Sequence, residues 1–169
     1  MRAELLRRYL RCFGPSTVEH FASWVGITTA DARSSWDQIE GGLVPVETAG
    51  CRTWLHRDDV SRLETATIPS SVRLLPPYDS YLDQRDRETL LPDKATHSRV
   101  WRSLGNPGVV LADGQVAGLW RPQKKGKRLT LTVETLTPVS RGIRAEIEAE
   151  AALLAPYRGC GSTSVIFAD

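Results

Sequence analysis

The stretch Val109–Leu136, VVLADGQVAGLWRPQKKGKRLTLTVETL, narrows the possible folds more than any other. Two strand-like runs meet at Asp113-Gly114, a dipeptide suited to the φ > 0 turn of a two-residue hairpin. A third run sets Leu129, Leu131 and Val133 against threonines at the period of a strand, apolar on one face and polar on the other. This pattern predicts antiparallel strands laid over a core.

Between the second and third runs lies Arg121-Pro122-Gln123-Lys124-Lys125-Gly126-Lys127-Arg128. Five of its eight residues are cationic, and three of the chain's four lysines are among them. A rigid ribbon with a positive tip suits a phosphate backbone, so Arg121, Lys124, Lys125, Lys127 and Arg128 are the candidate DNA contacts. The same turn also fits a feature that keeps a strand edge soluble. Over all 169 residues the formal net charge is only +2, so attraction to a polyanion has to be local.

The N-terminal third reads as three helices and a small β wing. Leu5, Leu6, Tyr9, Leu10 and Phe13 recur at helical spacing. Gly14-Pro15 stops that helix, and Ser16-Thr17-Val18-Glu19 has the form of a capping box with Ser16 at the cap. Val18, Phe21, Ala22 and Val25 line a second helix. Ala32, Trp36 and Ile39 line a third over Thr29–Glu40. Strand-like runs at Leu43–Glu47 and Arg52–His56 follow, then a short charged helix at Arg57–Leu63. Two helices joined by a tight turn and followed by a hairpin have the order of a winged helix-turn-helix.

The expected organisation is a winged helix-turn-helix over 1–66, a connector with Pro-Tyr-Asp and Arg-Asp-Arg motifs over 67–100, and an α/β C-terminal region over 101–169. The fold class is α+β, with an antiparallel sheet and a basic hairpin in the last region. Arg73–Asp79 reads as rigid and apolar, and Ser80–Leu91 holds a short helix. Ser140–Leu154 is a longer helix, ended by Pro156 and Gly159–Gly161. Ser162–Phe167 is a final strand able to join the sheet.

Cys12, Cys51 and Cys160 are far apart and form no Cys-x-x-Cys pair. No histidine stands near them at a zinc-like spacing. Free thiols in a reducing compartment are expected, and with them a cytoplasmic location. The first residues lack a signal-peptide core, and no apolar run is long enough to span a bilayer, so no membrane association is expected. No phosphate-binding loop, nucleophile elbow or metal motif appears, and no cofactor is expected. His20, His56 and His97 are scattered and read as ordinary structural residues.

The motifs, taken in order, resemble the winged-helix DNA-binding family of AlkZ and YcaQ type. Those that carry the resemblance are Leu74-Leu75-Pro76-Pro77-Tyr78-Asp79 with Gln84-Arg85-Asp86-Arg87, then Gly108–Trp120 with its Asp-Gly turn, then the basic turn. Leu6–Val46 is similar to the winged-helix repeat that precedes them. The resemblance implies double-stranded DNA as the partner, and the excision of alkylated bases, interstrand crosslinks included, by tandem winged helices and a β-rich region. It covers the C-terminal half of the family's pattern.

The family's catalytic motif, a glutamine, one residue, then glutamine or aspartate, belongs to the other half. Gln84-Arg85-Asp86 is its one formal match here. Its middle residue is charged where the family has an apolar one, so no catalytic role is carried over.

Secondary candidates for DNA contact, or for a structural role, are Arg7, Arg8, Arg11, Arg85 and Arg87. The last two also suit pairing with Asp79 or Asp86. The third helix, with Asp31, Asp37 and Glu40 against Arg33, approaches phosphates poorly and reads as a scaffold or docking face. Two functions follow. One is a DNA-binding chain that lacks the catalytic segment. The other is an interaction module that docks on a separate N-terminal half or another partner.

Overall fold

A computed structural model describes residues 2–48, 50–67, 70–83 and 86–168. The chain divides into two compact units, Met1–Thr67 with Asp83–Asp86, and Ile68–Leu82 with Arg87–Asp169.

The first unit runs α1 (Arg2–Phe13), α2 (Val18–Val25), α3 (Thr29–Asp37), β1 (Leu43–Thr48), β2 (Cys51–His56) and α4 (Val60–Glu64), with a 3-10 turn before each of β1 and α4. Leu6, Tyr9 and Leu10 of α1 meet Val18 and Phe21 of α2 and Ala32 and Trp36 of α3 in one core. Leu5, one step off that stripe, stays at the exposed edge. Strands β1 and β2 form an antiparallel pair running from Leu43↔His56 to Thr48↔Cys51.

The capping box is displaced by one residue. Thr17, not Ser16, caps α2 by accepting the His20 N–H. Ser16 is drawn into an isolated bridge with Trp54, bonded N–H to carbonyl both ways at 3.0 and 2.8 Å. Its buried hydroxyl lies 2.8 Å from that of Tyr9. The Ser16 carbonyl accepts from Trp54, and the first helical bond, from the Phe21 N–H, goes to Thr17, so the cap falls to the next hydroxyl.

The second unit is a five-stranded sheet in the order β3 (Val72–Leu75), β4 (Gly108–Ala112), β5 (Gln115–Lys125), β6 (Arg128–Thr135), β7 (Ser162–Ala168). The first four strands are antiparallel, as the alternation predicts. The last is parallel to β6, because α7 (Arg141–Tyr157) carries the chain back across the sheet. The sheet is therefore mixed. The Asp113-Gly114 turn has φ of 51° and 82°, the two positive values of a type I′ hairpin.

Ile147, Ala151 and Ala155 of α7 pack on Trp120, Leu129, Leu131 and Val133. Pro156 lies within the last turn of that helix rather than ending it, and Ser140 caps its start. On the other face, Leu90 and Leu91 at the end of α5 (Arg87–Leu90) and Val100 of α6 (His97–Val100) cover Val109, Val116 and Leu119.

The segment read as a rigid apolar connector begins with β3, an edge strand of this sheet. Glu146 of α7 accepts the Val72 N–H at 3.2 Å, and Glu150 holds Arg73 at 3.3 Å. A carboxylate on an otherwise open backbone donor blocks edge-to-edge pairing there.

Candidate nucleic-acid interface

The basic segment is rooted at Trp120. Its indole is buried and donates to the Leu75 carbonyl at 2.9 Å, tying β5 to β3 across β4. Gly108 makes room for the ring, since a Cβ there would lie 2.3 Å from it. β4 ends at this level, paired Gly108↔Trp120, while β5 continues to Lys125 against β6. β7 backs β6 along this extension, and Gly161 donates its N–H to the Lys127 carbonyl at 2.9 Å. The turn itself is Gly126-Lys127, with Gly126 at φ 59°. A side chain at that φ is costly, and glycine avoids the penalty.

Alternation along β5 divides the cations between two faces. Lys124 stands on the α7 face, opposite Leu129, and its ammonium donates to the Arg158 carbonyl at 2.7 Å. There it caps the carboxyl end of α7, where orphan carbonyls favour a cation. Lys124 is a candidate phosphate contact; the carbonyl takes one of its three N–H donors and leaves its charge unneutralised.

Arg121 and Lys125 point the other way, with Arg128 opposite Lys125. Thr130 and Thr132 extend the same face, and the Thr130 hydroxyl lies 3.1 Å from that of Ser164 on β7. Among the described residues, Arg121, Lys125, Lys127 and Arg128 make no salt bridge, and all four are exposed. The result is a hydroxyl-lined β surface with unneutralised positive charge at its tip. Arg99 closes its far end by pairing with Glu134.

The secondary candidates are placed differently. Arg7 and Arg8 both reach Glu4, at 3.7 and 3.0 Å. The hydrogen bond from Arg8 holds the Glu4 carboxyl below its ordinary range. Arg11 and Arg62 share Asp59, at 3.6 and 3.4 Å, and Asp59 is only 7% exposed. Arg87 stacks over the Trp101 ring, 4.8 Å from its centre. Arg85 and Gln84 lie outside the described residues. Asp79 accepts the Tyr81 N–H at 2.9 Å and so fixes a turn.

His97 and His56 are engaged within the fold. His97 contacts the Leu91 carbonyl at 2.7 Å and packs edge-on to Trp101, while His56 accepts the Asp58 N–H. Among the described residues no three His, Cys, Asp or Glu side chains are grouped to hold a metal, and no helix is long and apolar enough to cross a membrane. A cavity of about 380 Å³ lies at the opposite end of β5, by the Asp113 turn, under Leu136 and Ile143. It adds no charge to the cationic face.

The sequence reading places Tyr78 in the Pro-Tyr-Asp motif but gives it no role. It is 66% exposed, at φ 62°. The signal was Pro77 before it, since proline favours the second position of a β-turn and so puts Tyr78 at the third.

The sequence profile of the family described as DNA glycosylase AlkZ-like matches residues 1–157, and the chain belongs to that family. An interstrand DNA cross-link repair glycosylase of Streptomyces sahachiroi is 27% identical over 124 residues, which is 69% of this chain and 33% of that protein. The solved structure of the Streptomyces sahachiroi DNA glycosylase AlkZ shares the fold, with a TM-score of 0.84 at 24% identity. The match covers 99% of this chain and 45% of that one. The chain thus spans about a third of the length of its curated relative.

Proposed function

We propose that this chain is a DNA-binding part of an AlkZ-like repair glycosylase and meets duplex phosphates through the outward face of the β5–β6 ribbon. The observation that carries this reading is the set of four exposed cations, Arg121, Lys125, Lys127 and Arg128, with no salt-bridge partner among the described residues. Unpaired charge on a stiff ribbon releases counterions on contact and needs little reordering. The first unit acts as a winged-helix scaffold.

The test is duplex affinity against salt for the wild type and for the triple change Arg121→Ala, Lys125→Ala and Lys127→Ala, after circular dichroism shows both folded. Loss of three contacts lowers the slope of log K against log salt by about 2.7, at roughly 0.9 per phosphate. An unchanged slope returns the ribbon to the class of solubility features.

The chain alone excises no base in this reading. Single-turnover incubation with duplex containing an N7-alkylated purine should leave abasic sites at the no-protein level. Release abolished by Gln84→Ala would assign Gln84-Arg85-Asp86 the catalytic role withheld from it.

A second reading has the first unit dock on a separate N-terminal half or another protein. It is favoured by the pairing of all four α1 arginines, Arg2, Arg7, Arg8 and Arg11, with carboxylates. An α3 whose first turn is acidic adds to it. Little free positive charge is left in that unit for DNA.

A further inference from the structure

Two non-glycine residues have positive φ among those described, Asp113 and Tyr78. Asp113 sits in a hairpin turn that suits aspartate. Tyr78 has no such excuse. The Asp79 N–H bonds the Pro76 carbonyl at 3.3 Å, which makes Pro76–Asp79 a β-turn. Pro77 at the second position fixes a negative φ there, so the positive φ of Tyr78 at the third makes the turn type II. That position favours glycine or asparagine, and an aromatic residue there is strained.

Among the described residues no side-chain hydrogen bond or ring contact repays the strain, and Tyr78 is 66% exposed. The flanks, by contrast, are immobilised. Leu75 before the turn receives the Trp120 indole N–H. Behind the turn, Leu82 is buried, and the Tyr81 hydroxyl donates to the Gly114 carbonyl. A rigid turn therefore holds one aromatic ring outward.

Its place in the sheet gives it a partner. Leu75 pairs with Val109, and Val109 with Leu119, so the chain leaves β3 at the level where β5 passes from Trp120 to Arg121. Only β4 intervenes, which sets the two exits about 10 Å apart at the usual strand spacing. The Tyr78 turn and the free cations of the ribbon emerge from the same end of the sheet.

We infer that Tyr78 is a nucleobase-stacking residue, whose ring receives the face of a DNA base that has left the helical stack while the ribbon holds the phosphates. This rests on the DNA-binding reading above. An aromatic face accepts any base, so the contact is tolerant of sequence and selects for unstacking.

The experiment uses the full chain and a duplex carrying 2-aminopurine as a single-nucleotide bulge, beside a fully paired duplex. Wild type and Tyr78→Phe are expected to quench the 2-aminopurine and to bind the bulged duplex tightly. Tyr78→Asn, which suits the turn, is expected to abolish the added quenching and weaken bulge binding about tenfold. Its salt slope and its affinity for the paired duplex stay unchanged. Its melting temperature rises by about 2 to 4 °C as the strain is relieved.

Equal quenching by wild type and Tyr78→Asn overturns the stacking role and leaves the DNA reading standing. A lower melting temperature for Tyr78→Asn makes the tyrosine part of the fold and overturns it as well. Failure of the wild type to bind either duplex overturns both.

Discussion

Helix α1 and the β5–β6 ribbon are the two most basic segments of the molecule, with four and five cations. They use them in opposite ways. In α1 each arginine has a carboxylate within 4 Å, and the helix is fastened to α3 and to the segment before α4. In the ribbon only Lys124 is committed, to a helix end. The rest stand free among the described residues. A run of positive residues is thus not a measure of available positive charge; partners from elsewhere in the chain decide it.

The largest expected effect breaks the ribbon at its root. Gly108→Ala puts a methyl group inside the Trp120 ring and forces the indole off the Leu75 carbonyl. A loss of about 2 to 3 kcal/mol is expected in urea denaturation, with DNA affinity falling as the ribbon loses its anchor. Full stability with normal binding would show that the root is dispensable.

A smaller change tests the other region. Arg11→Ala leaves Asp59 with Arg62 alone, and one carboxylate oxygen of Asp59 is already buried without a partner. About 1 kcal/mol of stability should go, discounted because Arg11 is largely exposed. The salt slope for DNA should not move; a drop of about one unit would instead place Arg11 on a phosphate.

The smallest effect separates Lys124 from its neighbours. Lys124→Ala should cost about 0.5 kcal/mol through the α7 cap. It should change the salt slope less than Lys125→Ala does. Equal slopes for the two variants would mean that Lys124 leaves Arg158 to bind DNA.

What the sequence made legible was local. Asp113-Gly114 and Gly126 announced their turns, alternation announced β6, and the apolar spacing of Ile143, Ile147 and Ala151 announced α7. What it hid were partners far along the chain. The pairing of Arg11 with Asp59, of Lys124 with Arg158 and of Val72 with Glu146 leaves no periodic trace in either partner. Val72–Leu75 was too short for alternation to show, and the prolines after it suggested a connector. The capping shift from Ser16 to Thr17 had the same origin, since its cause is Trp54. The candidate site was legible as composition, and its division into two faces only as structure.

The bond from Gly161 to Lys127 ties the tip of the ribbon to the start of β7, just past the helix end that Lys124 caps. The ribbon is therefore closed at its outer end as well as at its root. If the ribbon meets a polyanion as proposed, the encounter is a collision with a finished shape, not the search of a swinging arm. In the DNA-binding reading the long-range field of the tip raises the rate of encounter, and the phosphate contacts made on arrival set the salt slope of the affinity. The lifetime of the complex is left to the short-range contacts made after arrival.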